Sequence, residues 1–83
     1  MVIVWERRVL SADGLGEIEG DRPHEFENEE RARAFMVAYW RTHPKADRYV
    51  RYLYFANNCI GVDFGSWSDF LVIENRDGPL NLI

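Results

Sequence analysis

The chain has 83 residues, of which 47% are hydrophobic and 14% aromatic, and a formal net charge of −4. So short a chain buries only around 60% of the surface its unfolded form exposes, which leaves room for one small core and a single domain over residues 1–83. The apolar content excludes a disordered chain, and the single cysteine, Cys59, excludes both an intramolecular disulfide and a cysteine-based zinc site within one chain.

No run approaches the roughly eighteen apolar residues that span a bilayer. Met1 leads straight into Val2-Ile3-Val4-Trp5, without the charged start and small-residue cleavage site of a signal peptide. The expectation is an unprocessed cytoplasmic protein with no membrane partner.

Residues 2–10 are rich in β-branched and aromatic types and run into the turn signal Ser11-Ala12-Asp13-Gly14, which predicts a first strand. The Asp13-Gly14 turn lets Leu15–Glu19 pair back as a short extra hairpin strand. The glycines at 14, 16 and 20 and Pro23 weaken that pairing, so residues 12–26 read as a hairpin arm or an ordered loop.

A helix follows over Glu29–Thr42. Asn28 is a favourable N-cap, Glu29 and Glu30 complement the positive end of the helix dipole, Arg41 complements the other end, and Pro44 stops the helix. Ala32, Phe35, Met36, Tyr39 and Trp40 recur at helical spacing and form the stripe that must be buried against a sheet.

Arg48–Ala56 alternates as a strand, with Tyr49, Arg51, Leu53 and Phe55 on one face and Val50, Tyr52, Tyr54 and Ala56 on the other. Arg51 marks its own face as the more exposed one, which leaves Leu53 and Phe55 as an apolar patch on the open side. Asn57-Asn58 tolerates the positive φ of a tight hairpin turn, Cys59–Gly65 returns, and Ser66-Trp67-Ser68-Asp69 connects to a last strand over Phe70–Glu74. The order defines an α+β domain in which one helix packs on a small, mainly antiparallel four-stranded sheet, β-α-β-β-β, the N-terminal hairpin strand being an optional addition.

The catalytic inventory is thin. His24 and His43 are the only histidines, neither sits in a nucleophile or metal-ligand pattern, and His43 reads as a helix-end residue favoured by the dipole. Cys59 opens a strand and reads as a small apolar residue in or near the core. The expectation is a protein that is not an enzyme and needs no cofactor or metal.

Charge is distributed unevenly. Asp13–Glu30 holds eight carboxylates against one basic residue, Arg22, a balance of −7, and Arg31–Arg51 holds six basic residues against Asp47, a balance of +5. Glu17, Glu19 and Asp21, and again Glu25, Glu27 and Glu29, alternate at a period of two. In an extended chain such carboxylates stand about 6.6 Å apart, comparable to phosphates along a nucleic-acid strand. A solvated, solubilising loop explains the same row. A second candidate surface is the aromatic and arginine set of Tyr49, Arg51, Tyr52 and Tyr54 with Trp5 and Trp67, residue types enriched in binding hot spots.

A very short, acidic, cysteine-poor chain with one helix, a small sheet and the carboxylate row Glu17 to Glu29 resembles the phage-encoded anti-defence inhibitors, notably the anti-CRISPR proteins, in general character over its whole length. The resemblance implies a stoichiometric inhibitor without a cofactor, acting in the host cytoplasm on the basic nucleic-acid channel of a CRISPR effector, sometimes as a DNA mimic. The six basic residues of the helix and following strand confine any mimicry to the arm. The expected partner-binding residues are Glu17, Glu19, Asp21, Glu25 and Glu27 of the arm, with Tyr49, Arg51 and Trp67. The partner is a protein complex with a basic nucleic-acid-binding surface, met by a monomer or homodimer.

Two alternatives stay open. One is an immunity or antitoxin-like protein neutralising a basic nuclease. The other is a small nucleic-acid-binding domain using the arginine and tyrosine surface, against which the acidic balance argues.

Overall fold

The structure, a computed structural model, describes residues 1–9, 18–43, 50–66 and 69–81. One helix packs on one face of a five-stranded antiparallel sheet, so the α+β architecture stands and the sheet carries one strand more than the four expected. The elements are β1 (Val2–Val9), β2 (Ile18–Phe26), α1 (Glu29–Thr42), β3 (Arg51–Ala56), β4 (Cys59–Asp63) and β5 (Asp69–Asn75), and the order across the sheet is β2-β1-β5-β4-β3. The Asp13-Gly14 turn, Pro44, Arg48 and Tyr49 lie outside the described residues.

The added strand is the arm. β2 is nine residues long and pairs with β1 from Val2↔Phe26 to Arg8↔Gly20, with a bulge where Val9 pairs Ile18. Pro23 is compatible with this strand because β2 is an edge, where a missing N–H breaks no ladder.

Asn28 caps α1 as expected, its side chain accepting from the Arg31 N–H at 2.9 Å. Ala32 and Met36 are buried, and Phe35, Tyr39 and Trp40 pack partly buried against the same core of Val2, Val4, Ile60, Val62, Phe64, Leu71 and Ile73. The stripe read from the spacing is the stripe that is buried.

Among the described residues the helix backbone runs closest to β1, β2 and β5. One helix is about 10 Å wide, whereas five strands at about 4.8 Å spacing span roughly 19 Å between their outer axes, so the sheet overhangs its cover. The overhang falls at β3.

Asn57-Asn58 departs from expectation, because no described residue other than a glycine has positive φ. A two-residue turn built without positive φ does not match the twist of its strands. The mismatch is taken up by a bulge in β3, where Tyr54 pairs Ile60 and Ala56 pairs Cys59. The return strand ends at Asp63, since Gly65 turns the chain out of the sheet at φ 98°, with its N–H donating to the Asp63 carboxylate at 2.9 Å. Beyond β5 the chain folds back, its Leu80 N–H donating to Asn57 O at 2.8 Å and its Asn81 N–H to the Glu29 carboxylate at 2.7 Å.

Candidate functional site

Two surfaces stand out, one polar and one apolar. The polar one is an open cleft of about 560 Å3 on the helix side of the sheet, where the inward phase of β1 changes from Val2 and Val4 to Glu6 and Arg8. The Glu6 carboxylate meets His24 Nε2 at 2.5 Å and also accepts from the Tyr39 hydroxyl. The Asp69 carboxylate accepts from Arg8 at 2.9 Å and lies 3.4 Å from His43 Nε2. The His43 ring also stacks near Tyr39 and Phe64, with centroids 5.7 and 4.9 Å away. Burial holds the Tyr39 hydroxyl above its ordinary value of 10.0, and the Glu6 carboxylate raises it further.

These contacts pair Glu6 and Asp69 with base or phenol partners, and no buried side-chain polar atom among the described residues lacks a hydrogen bond. A network satisfied in this way orients α1 on β1, β2 and β5. Among the described residues no group of three or more histidine, cysteine, aspartate or glutamate side chains forms a metal site. His43 is therefore more than a helix-end residue, Tyr39 is more than a member of the buried stripe, His24 gains a carboxylate partner, and Glu6 and Asp69 were not singled out by the sequence. Two signals were present: the even phase of β1, which sets Glu6 and Arg8 beside Val2 and Val4, and the i, i+4 spacing of Tyr39 and His43 on the helix.

Of the residues expected in the acidic arm, Glu17 lies outside the described residues, and Glu19 falls within β2 at its bulge, where the alternation of the strand is broken. Asp21 and Glu25 share the face away from the helix, with Pro23 between them. Asp21 accepts two bonds from Arg7, at 2.9 and 3.0 Å, and this pairing raises the Arg7 pKa further. Glu27, beyond the end of β2, lies 3.8 Å from Arg31. Glu25 is exposed and has no charged partner among the described residues. The row is thus interrupted by a bulge and by Pro23, and two of its carboxylates are compensated within the chain.

Tyr49 and Trp67 lie outside the described residues. Arg51 opens β3 opposite Asp63 and is exposed. It sits at the opposite edge of the sheet from Asp21 and Glu25, roughly 19 Å away across four strand spacings, so the acidic and Arg51 parts of the expected site are not brought together.

The apolar surface is β3 itself. Leu53 is 44% exposed, Tyr54 58% and Phe55 59%, although Tyr52 beside them packs against the core. Leu53 faces away from the helix side, as expected. Phe55 does too, its ring lying over Gly61, where an added Cβ would come within 2.9 Å of the ring. Tyr54 shares the phase of Tyr52, but the helix does not reach it. Apolar surface is therefore presented on both sides of one edge strand.

Together these features define a small α+β domain with a satisfied polar network on one side of the sheet and an uncovered apolar edge. Comparison with family models, with curated proteins and with solved structures gives no match.

Proposed function

We propose that the chain is a non-catalytic binding protein that docks another polypeptide on β3. The observation that carries this reading is the exposure of Leu53, Tyr54 and Phe55 on an edge strand that pairs, among the described residues, with β4 alone. Unpaired backbone groups of an edge supply hydrogen bonds to an added strand, and alternate side chains supply contacts above and below it. The opposite edge is defended: β2 carries Pro23, a bulge, and the charges of Asp21, Arg22 and Glu25. β3 carries a bulge near its end and one charge, Arg51.

Inhibition of a nucleic-acid-handling complex, as by an anti-CRISPR protein, is one form such a function takes. We place its docking surface on β3 in preference to the acidic arm, because Asp21 is held by Arg7 and Glu27 lies beside Arg31.

The test is affinity capture from a nuclease-treated lysate with the wild-type chain, with L53A/F55A and with E25K. Stoichiometric capture that L53A/F55A abolishes and E25K spares supports docking on β3. Loss in E25K alone moves the site to β2, and recovery of nucleic acid in place of protein overturns the reading.

A further inference from the structure

We infer that the polypeptide docked on β3 is a second copy of this chain, joined edge to edge in an antiparallel pair that makes one continuous ten-stranded sheet. This inference rests on β3 being the docking strand and goes further by naming the occupant. Leu53 projects on the face away from the helix and Tyr54 on the helix side, both exposed. An occupant that covers both sides of a single edge strand at once is itself a strand, whose side chains alternate above and below the sheet.

A second β3 fits this edge by symmetry. A two-fold axis normal to the sheet keeps each face on its own side, so cross-strand partners share a face and the axis passes through a residue position. With the axis at Leu53, Leu53 meets Leu53 of the other copy and Tyr52 meets Tyr54, both within the regular part of β3, and Arg51 falls level with Phe55 at the bulge. Leu53 and Tyr54, the two exposed apolar side chains on the regular part of the strand, are then both covered. The only charge on the strand lies beside an aromatic ring, a favourable pairing for a guanidinium.

Neighbouring registers are worse. An axis at Tyr54 sets Leu53 against Phe55 and Tyr52 against Ala56, the residues at and beyond the bulge, and an axis at Tyr52 leaves the exposed Tyr54 without a partner in the strand. The bulge thus selects the register by confining regular pairing to the first part of β3. Charge favours the same arrangement. Joining through β3 puts the two β2 edges, with Asp21 and Glu25, at opposite ends of the sheet, roughly 43 Å apart and far beyond the screening length of about 8 Å. Pairing through β2 would instead bring those carboxylates together across Pro23.

Cysteine cross-linking tests both partner and register, with Cys59→Ser as background. Only the residue on the axis faces its own copy, at a Cβ separation of about 5 Å, close to what a disulfide spans. L53C is expected to form a disulfide-linked dimer under mild oxidation, and Y54C, which faces Tyr52, is expected to stay single. Sedimentation of the wild-type chain is expected to show the mass rising from 9.8 kDa towards twice that value between about 1 μM and 1 mM. L53K, which sets two ammonium groups on the axis of a pair whose fold circular dichroism reports as intact, is expected to weaken association at least tenfold.

A single-chain mass at the highest concentration overturns the inference, as does equal cross-linking of L53C and Y54C. If the chain stays monomeric but β3-dependent capture of a different protein persists, the inference falls and docking on β3 stands. If neither is seen, both fall.

Discussion

A docking role for β3 carries an energetic prediction that separates a binding surface from a core. Met36 is 1% exposed and packed within the core, so M36A removes its buried side chain and leaves a cavity, at a cost of about 2–5 kcal/mol. Leu53 and Phe55 keep about half their surface in water. Burying a whole leucine or phenylalanine side chain contributes about 1.5–3 kcal/mol, so each contributes about half of that in the single chain. Truncation at a surface also leaves no enclosed cavity. The two halves sum to about 1.5–3 kcal/mol for L53A/F55A, below the range of about 2–5 kcal/mol for M36A alone, despite the removal of more side-chain atoms. Urea unfolding in the low micromolar range, where self-association contributes little, measures both, and a chain of this size should lose about 4–8 °C in Tm per kcal/mol. If L53A/F55A matches or exceeds M36A, the edge is covered within the chain itself, and the argument for a docking strand fails.

Three further outcomes follow from single contacts. Replacing Asn28 by alanine leaves the Arg31 N–H without its cap and should cost about 1 kcal/mol in urea unfolding, an unchanged midpoint refuting the cap. Burial and then Glu6 raise the Tyr39 pKa, so the folded chain holds this proton more tightly than the unfolded chain does. The resulting stability is fully present below the ordinary value of 10.0 and is lost as pH rises through the folded value. Stability of the wild-type chain measured from pH 8 to 11 should accordingly fall more steeply than that of Y39F, and parallel curves would refute the role of Tyr39. Burial, and then the Glu74 carboxylate, push the Cys59 thiol up, Arg7 offsetting part of the rise. Its reaction with a maleimide at pH 7.5 should be slower than that of a free thiol, and rapid labelling would show that the half-buried site is open.

The parts of this fold legible in the sequence are those written in local periods. The helix was readable to its bounds because its cap, its apolar stripe and its acidic first turn agree. The exposed phase of β3 was readable from Arg51. β2 was not, because Gly20 and Pro23 both argue against a strand, and only its place at the edge, a property of the whole sheet, admits them. The engagement of Asp21 with Arg7 and of Glu6 with His24 depends on the register of β1 with β2, which residue types alone do not set. A row of carboxylates at period two looks like an open acidic face until that register supplies an arginine opposite one member.

The same register explains why the two halves of the charge pattern do not make two working surfaces. Arg7 and Arg8 leave β1 on opposite faces, and each meets a carboxylate from a neighbouring strand, Asp21 of β2 and Asp69 of β5. The positive charge of β1 is thus spent in holding β2 on one side and β5 on the other, and the acidity of β2 serves in part to receive it. Electrostatics in this molecule act chiefly between strands, and the Arg7–Asp21 pair, with both partners less than a third exposed, is the one best placed to fix the alignment. What the pairing leaves for another molecule is the edge at which charge is scarcest. β3 has one arginine, no carboxylate and, among the described residues, no helix above it, which is the ground on which we propose it as the docking strand.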